Sequence, residues 1–406
     1  MNKINVLHIN YSNSESSACT RIIKAQKSSN RIDPFLLSFN NLSSLNNIKF
    51  SIFERKLLFF SIFLDKIINR FNYFFNKEFF SFNFIRKGFM FKVNQFKKYD
   101  IIHFHWNGHG YIDPKDLISK ISVDIPIFIH FHDALSVTGG CHVISDCQKY
   151  KTNCNDCPKS IISFHSPRNF NKKKEFYTKF NCYAISPSDF FRNYLSASYL
   201  FKFFKDDFVV PNPIELNIDI NSQNRSNLDS TLRLLFISNN LNDPNKQLDK
   251  LISSLENSSF KNFNLTIVGN LKKEINPSFD FNHISYIESD LKMISIYNSV
   301  DITLITSNFE TFGQVALESI NAGTPVITFE GIGTSEIISQ NINGILCQKN
   351  SFKSLVENLI ILHNDREFLS LLKSNCNSNT IQKFSFDIIG DQYFKIYNNV
   401  IKSKNT

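Results

Sequence analysis

The feature that most constrains the fold is a repeated alternation of short apolar segments with longer segments of helical periodicity. In the second half of the chain, helical segments such as 247–255 and Gln314–Asn321 separate the apolar segments. Those apolar segments are 232–237, 265–268, 284–287, 302–305 and 325–328. The first half repeats the pattern at Ile4–Ile9, Ile101–Phe104 and 125–131. Strands that alternate with helices usually form parallel sheets, so this pattern predicts two α/β units.

A polar segment at 217–230 predicts the boundary between these units. It follows an apolar run with Pro211 and Pro213, and 406 residues are enough for two domains. The predicted domains are 1–213 and 214–385. The last residues, 386–406, are predicted to form a helix that can cross back to the first domain.

The most informative motif is a pair of carboxylates, Glu310 and Glu318, with seven residues between them. The motif leaves a predicted strand, turns and enters a helix, which places Glu318 about two turns beyond Glu310 at 3.6 residues per turn. The backbone N–H groups of Thr311, Phe312 and Gly313 would then begin the helix, a position suited to a diphosphate. The alternative is a surface helix with two solvated glutamates.

This motif resembles the Glu-x7-Glu element of glycosyltransferase family 4. Segments 297–302, 320–327 and 343–346 also resemble that family, and together the similarity covers about residues 284–350. The resemblance implies a GT-B fold, with two Rossmann-like domains facing across a crevice. It further implies retaining transfer from a nucleotide sugar without a catalytic divalent metal. Glu310 is implied to contact the donor sugar and Glu318 to bind the ribose.

Residues 238–249 resemble the family's phosphate loop, in which Lys246 is implied to bind the donor diphosphate. Asn240 stands where the family has an arginine, and Gln247 stands where it has a glycine. One cation fewer would weaken donor binding unless Lys272 or Lys273 compensates. The alternative for Lys246 is an ordinary exposed lysine.

In the first half, the resemblance implies a histidine that contacts the donor sugar, and His132 is the candidate. The sequences around 131–133 and 138–142 resemble a subgroup that assembles exopolysaccharide, O-antigen and colanic-acid-type glycans. His103 and His105 are expected at the rim of the same crevice, and packing or capping is the alternative for each histidine. The segment 14–18 lacks the Gly-Gly turn that the family has after its first strand.

Four cysteines lie close together in sequence, at Cys141, Cys147, Cys154 and Cys157. Their spacing is compatible with a structural zinc site, for which His142 could substitute as a ligand. A disulfide or redox role and plain thiols are the alternatives. The other four cysteines, which are well separated, are predicted to pack in the interior.

Charge is distributed unevenly between the two halves of the chain. Residues 1–213 contain 29 Lys and Arg against 16 Asp and Glu, a formal charge of +13, whereas the whole chain carries +9. A polyanionic partner is therefore predicted, either phospholipid headgroups, a lipid pyrophosphate or nucleic acid, and the alternative is a basic surface that only serves solubility. Residues 49–98, rich in Phe, Lys and Arg, are predicted to form amphipathic helices that lie on an anionic membrane. Their aromatic and aliphatic residues would form one face and their basic residues another. The alternative is that these Phe residues form the first domain's core.

Together these features predict a hexosyltransferase-type enzyme that uses Glu310, His132 and Lys246 and needs no catalytic cofactor. It would move a sugar from a nucleotide-sugar donor to a lipid-linked glycan acceptor in bacterial surface polysaccharide biosynthesis. Because neither a signal peptide nor a spanning segment is visible, the expected location is the cytoplasm, at the inner face of the plasma membrane. The alternatives are a catalytically weakened sugar-nucleotide-binding relative and a basic nucleic-acid-binding protein. No nucleic-acid-binding signature supports the latter.

Overall fold

The computed structural model describes residues 3–12, 14, 17–39, 50–76, 79–85, 87–92, 95–106, 108–144, 146–216, 231–287 and 289–404. The chain divides into two compact units, which we call unit 1 (residues 1–213 and 386–406) and unit 2 (residues 214–385). The segment 217–230, predicted as the boundary, lies outside the described residues.

Each unit contains a six-stranded, entirely parallel sheet, which confirms the predicted α/β class. The order is β2-β1-β3-β4-β5-β6 in unit 1 and β12-β11-β10-β7-β8-β9 in unit 2. The strands are β1 Ile4–Ile9, β2 Ile32–Leu37, β3 Ile101–Phe104, β4 Ile127–His130, β5 Cys182–Ser186, β6 Asp207–Val209, β7 Leu232–Asn240, β8 Phe263–Asn270, β9 Phe281–Ile284, β10 Ile302–Ile305, β11 Val326–Phe329 and β12 Gly344–Cys347.

Helices connect successive strands and pack on the sheets. They are α1 Ala18–Ser28, α2 Ile52–Asn76, α3 His165–Lys179, α4 Asp189–Ser196, α5 Leu248–Glu256, α6 Asp290–Ser299, α7 Gln314–Asn321, α8 Phe352–Asn364, α9 Arg366–Asn375, α10 Ser378–Ile381 and α11 Phe386–Lys404. In each sheet the strand order reverses once, between β1 and β3 in unit 1 and between β7 and β10 in unit 2. Ligands of open α/β sheets bind at the carboxyl ends of the strands beside such a reversal.

The last helix of the chain, α11, completes the core of unit 1. It packs against α1, and a side chain at Gly390 would bring its Cβ to within 2.0 Å of the Ala25 carbonyl oxygen. Tyr393 and Tyr397 are fully buried between this helix and the sheet. The core of unit 2 is built from the leucines of α5, α8 and α9 against its own sheet.

Helix α2 turns its polar side toward the protein and its aromatic side toward solvent. Its buried residues include Ser61, Asp65, Asn69 and Asn72. Asp65 accepts hydrogen bonds from the backbone N–H groups of Phe82 and Asn83, at 2.9 and 2.8 Å. The exposed apolar residues of α2 are Ile52, Phe53, Phe59, Phe60, Phe63, Ile67, Phe71, Tyr73, Phe74 and Phe75.

Several predicted elements differ from the observed ones. The predicted strand at 284–287 was wrong, because the observed strand β9 ends at Ile284. Its pairing with β8 begins at Phe281. The prediction of helices in 49–98 holds for α2 but not for 80–83, where the backbone N–H groups of Phe80 and Phe82 donate to side chains of α2. No helix in the described part of the chain combines the length and apolar character needed to cross a membrane.

Candidate functional site

In unit 2, Asn245 joins the loops that follow β7 and β10, the two strands at which the strand order reverses. Its side-chain amide donates to the Phe309 carbonyl at 2.9 Å and accepts from the Phe309 N–H at 3.0 Å. The Thr306 hydroxyl adds a bond to the Lys246 carbonyl at 2.7 Å. The loop after β7 therefore lies directly against the loop after β10, and the two loops carry the predicted site residues Lys246 and Glu310, respectively.

Those two residues, Lys246 and Glu310, form an ion pair at the mouth of a pocket. Lys246 Nζ lies 2.5 Å from Glu310 Oε1, which also accepts from the Ser307 hydroxyl at 2.8 Å. The two side chains are 25% and 20% exposed, so the pair is accessible to a ligand but partly shielded from solvent. The pocket has a volume of about 210 Å³ and is also lined by Gly313 and Gln314.

The far wall of this pocket is the start of helix α7. Gly313 precedes the helix in a left-handed conformation (φ 107°), and a Cβ there would approach Thr334 Oγ1 to 2.5 Å, so only glycine fits. Gln314 is the first helical residue, and neither polar atom of its buried side-chain amide has a hydrogen-bond partner. A helix N-terminus, a lysine and an unpaired amide around one pocket form an environment suited to an anion with further polar groups.

Gln247 has the conformation that a glycine would adopt most easily. It lies in the left-handed region, with φ 56° and ψ 34°, between the short turn 244–246 and helix α5. This geometry explains why the family that the loop resembles has glycine there. The Gln247 side chain is buried, and its Oε1 atom has no hydrogen-bond partner.

The other predicted donor residues lie around the pocket rather than in its lining. Phe312 has its side chain in the unit 2 core, against Phe384, so only its backbone could serve a ligand. Asn240, at the end of β7, accepts from the Asn242 N–H through its side chain. Glu318 lies in the second turn of α7 and accepts from the Tyr297 hydroxyl at 3.3 Å. Thr311 immediately follows the ion-paired Glu310, before the helix.

Sequence reasoning missed four residues that shape this site, and their roles depend on tertiary contacts. These are Asn245, Tyr297, Ser307 and Gln314. Only two carried a local signal, since Asn245 adjoins Lys246 and Gln314 occupies the first position of a predicted helix.

In unit 1, His132 and Asp133 lie at the carboxyl end of β4. Burial lowers the pKa of His132 to about 4, although nearby Asp133 opposes this effect. Asp133 accepts from the Trp106 indole at 2.6 Å and contacts His142 Nδ1 at 2.5 Å. Burial alone would raise the pKa of Asp133, but these partners hold it below the usual value. His103 and His105 do not lie at a rim as predicted, because both are buried beneath His132.

The four clustered cysteines line one small cavity in unit 1. Cys141 donates to Cys157, and this hydrogen bond is the main reason that the pKa of Cys157 falls to about 6. Cys154 and Asp156 both have positive φ, so the Cys-x-x-Cys segment is tightly turned. The sulfurs are nevertheless more widely spaced than the ligand nitrogens of His8, His103 and His105. That trio is the only group of three or more metal-ligand side chains within 4.8 Å found among the described residues.

Comparison with known proteins connects unit 2 to sugar transfer. Residues 219–382 match the family model described as glycosyl transferases group 1. The capsular polysaccharide biosynthesis glycosyltransferase CapM of Staphylococcus aureus is 26% identical over 168 residues, covering 39% of this chain and 44% of CapM. The N,N'-diacetylbacillosaminyl-diphospho-undecaprenol alpha-1,3-N-acetylgalactosaminyltransferase of Campylobacter jejuni is 25% identical over 120 residues, covering 30% of this chain and 32% of that enzyme.

The chain spans less than half the length of three curated relatives that it matches, from 26% to 44%. Solved structures resemble this protein over nearly its whole length. HepE of Anabaena, solved in complex with UDP and glucose, superposes with a TM-score of 0.57 at 15% identity, covering 98% of this chain and all of HepE. The GT-B fold class predicted from the sequence is therefore confirmed.

Proposed function

We propose that this protein is a retaining glycosyltransferase of family 4 that takes a sugar from a nucleotide-sugar donor. The observation that carries this proposal is the pocket at the strand-order reversal of unit 2, where Lys246, Glu310 and the start of α7 meet. The pocket lies within the segment that matches the glycosyltransferase model. A lysine and a helix N-terminus suit a diphosphate, and a carboxylate suits the hydroxyl groups of a sugar.

In this mechanism the nucleotide diphosphate leaves the anomeric carbon while an acceptor hydroxyl attacks the same face. Negative charge grows on the leaving diphosphate, and Lys246 and the N-terminus of α7 stabilise it. The diphosphate can itself receive the proton of the acceptor. In the unliganded protein Glu310 neutralises Lys246, so donor binding exchanges one partner of the lysine for another.

A panel of nucleotide sugars, scored by thermal shift and by hydrolysis, tests the proposed activity. One member should raise the melting temperature and be hydrolysed slowly or transferred when an acceptor is added. Lys246→Ala and Glu310→Gln should each lower turnover at least tenfold, as expected for loss of a charged hydrogen bond. Lys250→Ala, an exposed lysine on nearby α5, is the matched control and should leave turnover unchanged.

Two results would contradict this assignment. Stabilisation by a nucleotide sugar without any turnover would indicate a binding protein that has lost activity, in line with Asn240 in place of the family's arginine. Full turnover in Lys246→Ala would show that another cation neutralises the diphosphate.

We further propose that the acceptor is a lipid-linked glycan and that α2 docks the enzyme on an anionic membrane. The exposed side of α2 carries seven phenylalanines together with Arg55, Lys56, Lys66 and Arg70. Aromatic and aliphatic side chains favour the headgroup boundary, and each nearby cation adds roughly 1 kcal/mol on an anionic leaflet. The positive charge of residues 1–213 has the matching sign. The proposed place of this docking is the inner face of the plasma membrane.

The orientation of α2 distinguishes this proposal from the core alternative. Within residues 49–98, the buried phenylalanines lie outside the helix, at Phe50, Phe80, Phe82, Phe91 and Phe96. Basic residues share the exposed side with the aromatic ones and do not form the separate face predicted from the sequence. The polar side of α2 has partners within the protein, whereas most of its aromatic side chains are exposed to solvent.

Sedimentation with vesicles tests the docking. Wild-type protein should bind phosphatidylglycerol-containing vesicles at low salt, bind less as salt rises and bind phosphatidylcholine vesicles weakly. The triple variant Phe59→Ser, Phe63→Ser, Phe74→Ser should lose binding. A matched control with Leu291→Ser and Ile361→Ser, two exposed apolar residues of unit 2, should retain it. Equal sedimentation of the triple variant and the wild type would refute a role for α2.

A further inference from the structure

Five histidines form a stacked cluster on one face of the unit 1 sheet. His8, His103 and His130 lie on β1, β3 and β4, respectively. His105 follows the end of β3, and His132 follows the end of β4. Their rings are within 4.4–5.6 Å of their neighbours, centroid to centroid. The register explains this stacking, since His8 pairs with His103 across adjacent parallel strands, and residues two apart share a face. Four of the five are almost completely buried, and His132 is partly exposed.

A continuous chain of hydrogen bonds connects His132 to helices α1 and α11. His132 Nε2 lies 3.0 Å from His105 Nδ1, and His105 Nε2 lies 2.8 Å from His8 Nδ1. His8 Nε2 then contacts Gln26 Oε1 at 2.8 Å. Gln26 Nε2 donates to the Tyr397 hydroxyl at 3.0 Å, and that hydroxyl contacts His103 Nδ1 at 2.6 Å.

Each histidine in this chain is neutral and therefore has a single N–H group. Burial lowers the pKa of His8 and of His132 to about 4 and that of His105 well below its usual value. A neutral imidazole donates from one nitrogen and accepts at the other. Once one bond in the chain has a direction, every other bond follows it.

The Gln26 amide sets that direction, because its oxygen can only accept. His8 must carry its proton on Nε2, so His8 Nδ1 accepts from Nε2–H of His105. His105 Nδ1 then accepts from Nε2–H of His132. The lone pair of His132 consequently lies on Nδ1. Tyr397 holds the amide in this orientation, since its hydroxyl accepts from Gln26 Nε2 and donates to His103.

We propose that Gln26 and Tyr397 are positioning residues that fix the tautomer of His132 through His8 and His105, so that His132 offers Nδ1 as an acceptor for a substrate hydroxyl group. The substrate part of this inference rests on the proposed function, whereas the tautomer does not. The same lone pair would repel a phosphate oxygen. His132 is thereby matched to a sugar or acceptor hydroxyl rather than to the donor diphosphate.

A metal ion is the competing use of this cluster, since nitrogens of His8, His103 and His105 lie within 4.8 Å of one another. However, the His8 and His105 nitrogens are already joined by a hydrogen bond, and no carboxylate belongs to the trio. A dication in this fully buried position would lack a balancing charge.

Long-range proton–nitrogen correlation spectra of the [15N]histidine-labelled protein at neutral pH report each tautomer directly. We expect Nε2–H for His8, His105 and His132 in the wild type. Gln26→Leu removes the fixed acceptor, so all three should populate both tautomers. Tyr397→Phe frees the amide to rotate and should have the same effect on His132, which decides the question if Gln26→Leu does not fold. Tyr393→Phe is the matched control, because its hydroxyl contacts His130 outside the chain of bonds.

Three results would overturn the proposal. These are Nδ1–H on His132 in the wild type, unchanged tautomers in Tyr397→Phe, and added zinc that shifts the His8, His103 and His105 resonances. Once a nucleotide sugar that the enzyme transfers is known, Gln26→Leu should lower kcat about tenfold, because one hydrogen bond to a buried group contributes about that factor. The KM for the donor should stay unchanged. If the wild type transfers no sugar, the proposed function fails, but the spectra still decide the tautomer.

Discussion

At the scale of single residues, Gln247 shows how a departure from a family pattern changes the local energy balance. A non-glycine residue in the left-handed region is strained by roughly 1–2 kcal/mol. Here the strained residue immediately follows Lys246, and its buried side-chain oxygen has no partner. The loop nevertheless keeps the shape that glycine would allow, because Asn245 and Thr306 fasten it to the loop after β10.

Replacing Gln247 by glycine should therefore stabilise the protein more than replacing it by alanine. Both variants remove the unpaired amide, but only glycine also relieves the backbone strain. Gln247→Gly should be more stable than Gln247→Ala by about 1 kcal/mol, or roughly 2–4 °C in melting temperature for a domain of this size. Thermal denaturation of both variants makes the comparison. A melting temperature of Gln247→Ala equal to or above that of Gln247→Gly would show that the backbone at 247 is not strained.

Glu318 gives the second prediction at this scale. Glu318→Gln should weaken nucleotide binding by about 1.5–3 kcal/mol, because a charged acceptor of ribose hydroxyls becomes a neutral amide. Titration calorimetry with the nucleotide sugar identified in the panel measures the change. Glu357→Gln, an exposed glutamate on α8, is the control and should bind normally. Unchanged affinity in Glu318→Gln would remove this residue from the site.

The sequence predicted the residues that carry charge at the site but not the residues that hold them in place. Lys246 and Glu310 were identified from motifs, and they do form a pair. Asn245, Gln314 and Gln26 were not, because the role of an uncharged side-chain amide depends on its tertiary partners. The Gln26 interaction is the extreme case, since it joins residues 371 positions apart.

At the scale of elements, periodicity predicted where helices and strands lie better than which side they bury. The bounds of β1, β3, β10 and α7 match the predicted ones. Helix α2 was predicted as amphipathic, but not that its polar stripe would face the protein. That reversal depends on acceptors such as Asp65 and Asn69 meeting backbone N–H groups of a distant segment. Hydrophobic patterning alone therefore assigns the wrong side to such a helix.

The turned segment that carries the four cysteines gives the prediction at this scale. Purified protein should contain about one zinc ion bound by Cys141, Cys147, Cys154 and Cys157, since four thiols around one cavity match a structural site. Binding would require the sulfurs to close to about 3.8 Å apart, as Zn–S bonds of about 2.3 Å in a tetrahedron demand. Chelation should destabilise residues 138–160 and leave nucleotide binding intact, because the donor pocket lies in unit 2.

Elemental analysis and thiol titration measure this directly. Cys141→Ser with Cys157→Ser should abolish the metal, whereas Cys347→Ser, a buried thiol of unit 2, should not affect it. Four freely titrating thiols without metal would instead support plain packing residues.

At the scale of the whole molecule, the last helix of the chain belongs to unit 1 although it follows unit 2 in the sequence. Unit 1 contains both the first and the last helical segments of the chain, and the contact between α1 and α11 joins them. The sequence predicted a C-terminal helix that can cross back to the first domain, but not which of its residues make that contact. That information lies in Gly390, which permits the close approach to Ala25, and in the buried tyrosines of the same helix.

Truncation after Ser385 should therefore unfold unit 1, although the removed residues follow unit 2 in the sequence. Ile389, Tyr393, Tyr397 and Val400 are all at most 7% exposed in the unit 1 core. Burial of each contributes about 1.5–3 kcal/mol, so their combined loss approaches the whole stability of a typical domain. Unit 2 buries its own core without α11 and should keep its cooperative unfolding transition and its affinity for the nucleotide. Calorimetry should show one transition in the truncated chain, and limited proteolysis should cleave within residues 1–213 but spare 231–385. A chain ending at Lys404 is the control and should unfold like the full chain. If unit 1 stays folded without α11, its core does not depend on that helix.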